Sequence, residues 1–171
     1  KTEKIGNVTL DFTHYPGEDF YCDGASEDEL LAVVRDRGEE EYPDVIRDRH
    51  SWELLYHLSD LRENIVEWLP MDKSMKVLEV GAGCGAITGS LARRAGSVTC
   101  VELSKKRSTI NALRHRECDN ITIHVGNFSD IEPELSNDYD YVCLIGVFEY
   151  AQSYMNSDTP FVDFYHIIKK H

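Results

Sequence analysis

Hydrophobic and polar positions change their period twice along this chain. Residues 8–12 alternate, with Val8, Leu10 and Phe12 on one side, and a Pro16-Gly17 turn separates them from Phe20-Tyr21. That pattern predicts a small β-hairpin or an extended arm. Ser26-Glu27-Asp28-Glu29 reads as a capping box opening a short helix that carries Leu30, Leu31, Val33 and Val34 and ends at Gly38. An acidic linker over residues 39–41 leads to Pro43. From about Asp44 the spacing is helical again, and Leu58, Leu61, Ile65, Trp68 and Leu69 recur at helical intervals until Pro70 stops them.

Beyond Pro70 strands and helices alternate. Strand-like runs cover residues 75–80, 97–102, 120–125 and 139–145; helix-like runs cover 86–95, closed by Gly96, and 105–117, capped by Ser104. A last helix is expected with Thr159 as cap and Pro160 in its first turn, burying Phe161, Phe164, Tyr165 and Ile168. This alternation predicts an α/β fold, a Rossmann-like doubly wound parallel sheet with ligands at the carboxyl ends of its strands. Residues 1–50 are then a mainly helical N-terminal extension and residues 51–171 the ligand-binding core.

The most informative stretch runs from Val77 to Ile87, where a buried strand enters Gly81, Gly83 and Gly85 and then a helix. Glycines at alternate positions before a helix are expected to expose backbone N–H groups to a polar or anionic ligand. Gly81, Gly83 and Ala86 satisfy the G-x-G-x-x-A of dinucleotide sites, a weak pattern alone. Glu79, two residues before the first glycine, would repel a pyrophosphate. Glu102 at the tip of the next strand suits both hydroxyls of a ribose, whichever nucleotide carries it.

Glu79, Gly81, Gly83 and Gly85 together resemble motif I of the class I S-adenosylmethionine-dependent methyltransferases, E/D-x-G-x-G-x-G. Val125-Gly126-Asn127-Phe128 looks like that family's adenine-binding segment, and residues 139–150 resemble its strand-four motif, with Tyr150 where many relatives carry His. Residues 59–65 look like the helix start of ubiquinone-biosynthesis O-methyltransferases, which implies that Arg62 holds the donor's carboxylate. The wider wording resembles methyltransferase domains attached to bacterial surface-polysaccharide glycosyltransferases. The resemblance covers residues 51–171. It implies S-adenosylmethionine as cofactor, S-adenosylhomocysteine as product, and a binding set of Arg62, Glu79, Gly81, Ala82, Gly83, Gly85, Glu102, Leu103, Asn127, Phe128 and Gly146. It also implies methyl transfer to a small-molecule or carbohydrate acceptor, as O-methylation. Glu149, Tyr150, His57, Tyr56 and His14 are the residues available to orient or deprotonate an acceptor, and the sequence does not choose among them. A NAD-dependent oxidoreductase and a non-catalytic binding or docking domain of a larger protein remain the other readings.

Charge sharpens the partner expectations. The chain of 171 residues carries a net −13, with 18 acids against 7 Lys/Arg in residues 1–70 and 13 against 11 in the remainder. Such a surface repels phosphate backbones, so no nucleic-acid partner is expected. The Lys105-Lys106-Arg107 run reads as a solvated helix turn. Five cysteines, widely spread and without zinc spacing, read as reduced thiols in a cytoplasmic protein with no metal site. The longest apolar run falls far short of the roughly 20 residues needed to span a membrane. The chain begins at Lys1 without methionine and ends where the family continues with further strands. It is therefore expected to be part of a longer polypeptide, to self-associate as a homodimer through its strand-four edge, or to cover that edge with residues 1–50.

Overall fold

The computed structural model describes residues 1–19, 24–155 and 157–171. Its elements are β1 (Thr2–Ile5), β2 (Val8–Asp11), α1 (Ala25–Asp36), α2 (Tyr42–Arg49), α3 (Trp52–Leu58), α4 (Asn64–Glu67), β3 (Lys76–Val80), α5 (Thr88–Arg94), β4 (Ser97–Glu102), α6 (Lys105–Arg114), β5 (Ile121–Val125), α7 (Phe128–Ile131), β6 (Tyr141–Cys143), α8 (Ala151–Tyr154) and α9 (Pro160–Ile168). The strands form one sheet in the order β1-β2-β5-β4-β3-β6, parallel throughout except for the β1–β2 hairpin. This is the expected Rossmann-like α/β arrangement.

Four consecutive residues of β3, Val77 to Val80, are buried, as a parallel strand covered on both faces requires. Val77, Val98 and Ile123 pack on one face beneath Ile87, Leu91 and Ala92. Leu78, Val80 and Val101 pack on the other with Phe128, Ile131 and Phe164. A third cluster joins Leu30, Val34, Tyr42, Leu54 and Leu58 to Ile110 of α6, fastening the N-terminal helices to the core. The register sets Val80 beside Val101 and Glu102 beside Val125, so the carboxyl ends of β3, β4 and β5 finish close together.

Several local expectations are corrected. The hairpin turns at Gly6-Asn7, where Gly6 sits at φ 58° and the Asn7 N–H donates to Arg116 O at 2.7 Å, and not at Pro16-Gly17. Phe20 and Tyr21 lie outside the described residues. Helix α1 starts at Ala25, with Gly24 as its N-cap and no side-chain capping bond, so Ser26 is inside the helix and heads no capping box. The long helix expected up to Pro70 is broken into α3, a 3₁₀ turn over Asp60–Glu63, and α4. Ser59 makes the break by accepting from the Leu61 N–H at 3.2 Å. The apolar stripe is therefore split: Leu58 is buried and Leu69 packs on the core, while Leu61, Ile65 and Trp68 are 69, 47 and 74% exposed.

Helix α6 stops at Arg114, and strand four is only the three residues of β6. Thr159 precedes α9 without a side-chain capping bond, and Phe164 is fully buried while Phe161 and Tyr165 are exposed. The arm carrying Val8 and Leu10 does not cover β6: β2 pairs with β5 at the opposite side of the sheet. Among the described residues β6 pairs with β3 alone. Cys84, Cys100, Cys118 and Cys143 are free thiols, Cys22 lies outside the described residues, and among those described no helix is long and apolar enough to cross a membrane.

Candidate functional site

The chain leaves β3 at Val80 and turns sharply, with Gly81 at φ 72° and Gly83 at φ 56°, a left-handed backbone that glycine adopts without strain. This turn is bound from within. The Gly81 and Ala82 N–H groups donate to Val101 O at 2.8 and 3.2 Å, Gly83 N–H to Glu102 Oε2 at 2.8 Å, and Gly85 N–H to Ala82 O at 3.1 Å. The expectation that these glycines expose N–H groups to a ligand is thereby corrected. A pyrophosphate finds all four donors already engaged.

Glu102, at the tip of β4, is buried. Its Oε1 accepts from the Ser104 N–H at 2.9 Å while Oε2 holds Gly83. Burial pushes its carboxyl above the usual range, and the N–H groups of Ser104 and Gly83 pull the other way. Each oxygen keeps a second lone pair, so the carboxylate can still take two hydroxyl donors.

Glu79 is also buried. Its Oε2 accepts from Thr88 Oγ1 at 2.6 Å and lies 3.6 Å from Cys100 Sγ, and Thr88 in turn accepts from Asn111 Nδ2 at 3.0 Å. Desolvation raises this carboxyl to about 7, against the opposing bonds from Thr88 and Cys100.

Two cavities lie on either side of the glycine turn and share Val80 and Gly81 in their walls. The first, about 140 Å³, brings together Arg62, Glu79, Gly81, Ala82, Gly83 and Gly146, with Tyr56, His57 and Arg107. A Cβ added at Gly83 or Gly146 would meet no heavy atom within 4 Å, so both glycines face open space. The Arg62 guanidinium rests 4.3 Å from the centre of the Tyr56 ring. The second cavity, about 40 Å³, is lined by Glu102, Leu103, Asn127 and Phe128, and is closed by Val147 and Phe164. That volume holds about three waters.

Gly85 belongs to neither cavity. A Cβ there would stand 2.4 Å from Asn111 Oδ1, so this glycine serves close packing of the turn on α6. Asn127 Oδ1 caps α7 by accepting from the Ser129 N–H at 3.0 Å, and Phe128 meets Phe164 edge-on with ring centres 5.5 Å apart. Of the groups available to an acceptor, Tyr56 and His57 line the first cavity. Burial and the Arg107, Arg114 and Arg62 guanidinium groups lower His57 to about 4, which keeps it neutral and weakly basic near pH 7. Glu149 and Tyr150 lie exposed on a 3₁₀ turn beyond β6, and His14 sits 3.0 Å from Glu134; none of the three lines either cavity.

Sequence reasoning missed Arg107. The run over residues 105–107 is not a solvated turn: Arg107 Nε donates to the buried Glu27 at 2.6 Å, and Lys106 Nζ lies 2.5 Å from Asp28. The acid excess of the N-terminal residues was the signal available, and these pairs answer part of it.

A family model described as a methyltransferase domain matches residues 77–169, more than half of the chain. The ribosomal RNA small subunit methyltransferase A of Streptococcus equi subsp. zooepidemicus is 35% identical over 65 residues, 38% of this chain and 22% of that protein. The chain thus spans about a fifth of the length of the curated relatives it matches. A Methanococcus maripaludis protein described as an S-adenosyl-L-methionine-dependent methyltransferase is 20% identical over 77% of this chain and 59% of its own, with a TM-score of 0.49. Haemonchus contortus phosphoethanolamine N-methyltransferase 1, in complex with phosphoethanolamine and S-adenosylhomocysteine, is 19% identical over 71% of this chain and 26% of its own, with a TM-score of 0.44.

Proposed function

Since the chain belongs to the methyltransferase domain family, whose members use S-adenosylmethionine, we propose that it binds this donor along the carboxyl ends of β3, β4 and β5 and transfers its methyl group to a small-molecule or carbohydrate hydroxyl. The carrying observation is the pair of cavities flanking one glycine turn, with Glu79 and Arg62 on one side and Glu102 with Asn127 and Phe128 on the other. An elongated ligand with an amino-acid end and a nucleoside end suits that division. In this reading Gly81, Ala82, Gly83 and Gly146 bound the methionyl part, with Glu79 toward its cationic groups and Arg62 toward its carboxylate. Glu102 accepts from the ribose hydroxyls, and Leu103, Asn127 and Phe128 border the adenine.

When bound, the donor supplies an electrophilic methyl on a sulfonium, so the protein's task is alignment and exclusion of water. Tyr56 and neutral His57, beside Gly146, are the groups this chain offers for orienting an acceptor hydroxyl. A nucleic-acid acceptor is the second reading, favoured by the curated relatives, which are ribosomal RNA methyltransferases, and opposed by the net charge of −13. Methyl transfer to RNA, and none to sugars or phenols, would reverse this order.

Parallel calorimetric titrations test the cofactor. S-adenosylhomocysteine is expected to bind, and NAD to bind at least tenfold more weakly, because the N–H groups of the glycine turn already have acceptors and Glu79 adds negative charge as it ionises. Equal affinities would return the dinucleotide reading to first place.

A further inference from the structure

Asp19 stands at the end of the N-terminal arm, yet its carboxylate is committed to the first turn of α6. Oδ1 accepts from the Lys105 N–H at 2.7 Å and from the Tyr15 hydroxyl at 3.2 Å; Oδ2 accepts from the Lys106 N–H at 3.0 Å and from the Ser104 hydroxyl at 3.1 Å. An ordinary helix cap is already present there, because Ser104 Oγ accepts from the Arg107 N–H at 3.2 Å. Asp19 therefore adds a second, long-range fastening to a turn that is capped without it, and the Glu27–Arg107 and Asp28–Lys106 pairs tie the same turn to α1.

The turn matters because of what Ser104 does on its other side. Its N–H donates to Glu102 Oε1, and Glu102 Oε2 accepts from the Gly83 N–H. One chain of hydrogen bonds thus runs from Asp19 through Ser104 and Glu102 to the glycine turn, joining the arm to both cavities.

We propose that Asp19 is a positioning residue for the nucleoside half of the site: by holding residues 104–106 it fixes the Ser104 N–H, which keeps the Glu102 carboxylate aimed at the ribose hydroxyls. This rests on the reading of Glu102 as the ribose acceptor. It makes the N-terminal arm a component of the cofactor site.

Asp19→Asn tests the idea with little change in shape, since the amide keeps one acceptor oxygen and turns an NH₂ toward donors. Amide hydrogen exchange on the ligand-free chain is expected to speed up at Ser104 and at Gly83. Affinity for S-adenosylhomocysteine should fall about fivefold, and that for its 2′-deoxy analogue by clearly less. In a Glu102→Ala background the same substitution should have no further effect on either ligand. Unchanged exchange at Gly83, or equal weakening of both ligands, would overturn the proposal, because a merely structural role predicts one or the other. Absence of binding by the wild-type chain would defeat the ribose reading itself, while the exchange rates at Gly83 would still report whether the arm acts on the turn.

Discussion

Glu102→Ala is expected to weaken S-adenosylhomocysteine binding a hundredfold or more. Two hydroxyl donors lose a charged acceptor, at about 1.5–3 kcal/mol each, which converts to at least two decades in affinity. The substitution also strips the buried acceptor from the Gly83 and Ser104 N–H groups, which leaves the turn tied to β4 only through the Gly81 and Ala82 bonds to Val101 O. Glu102→Gln, with one acceptor oxygen left, should fall between. Calorimetry on the three proteins measures this, and an alanine variant that binds like the wild type removes Glu102 from the site.

The second large effect is on stability and follows from Glu79. Its carboxyl is raised to about 7 in the folded chain, against an ordinary value of 4.5. Between these values the folded state holds a proton that the unfolded state has released, so unfolding free energy declines as pH rises. The contribution is fully present below about pH 4.5 and lost as pH passes through about 7, and it amounts to on the order of 3 kcal/mol at 1.36 kcal/mol per unit. Glu79→Gln keeps a neutral group in place and should abolish that share of the decline. Denaturant midpoints of both proteins at pH 5 and pH 8 give the comparison. Identical pH slopes would show that Glu79 does not titrate in this range.

The features legible in the sequence are those whose cause is local. Buried parallel strands declare themselves as apolar runs, and the entry from Val80 into Gly81 and Gly83 is dictated by backbone conformation at those positions. The expectations that failed depended on distant partners or on a competing local bond. Leu61, Ile65 and Trp68 keep helical spacing, yet the Ser59 hydroxyl offers the Leu61 N–H another acceptor and breaks the helix. The close approach of Asn111 from α6 to Gly85 is likewise invisible in the sequence around that glycine. The pairing of Glu27 and Asp19 with residues some eighty positions later leaves no trace in either segment alone.

The parallel pairing of β2 with β5 bears on how the chain reaches this state. Thr9 lies opposite Thr122, so two strands that are neighbours in the sheet are far apart along the chain. Val8 and Leu10, buried in the folded chain, have β1 as a hairpin partner but gain their second strand neighbour only when β5 joins them. Closing a loop of that length carries its entropic cost before the contact rewards it, which slows the step. Docking of the hairpin is therefore a slow step of folding, and until it happens β5 presents an unpaired edge on which other chains can mispair.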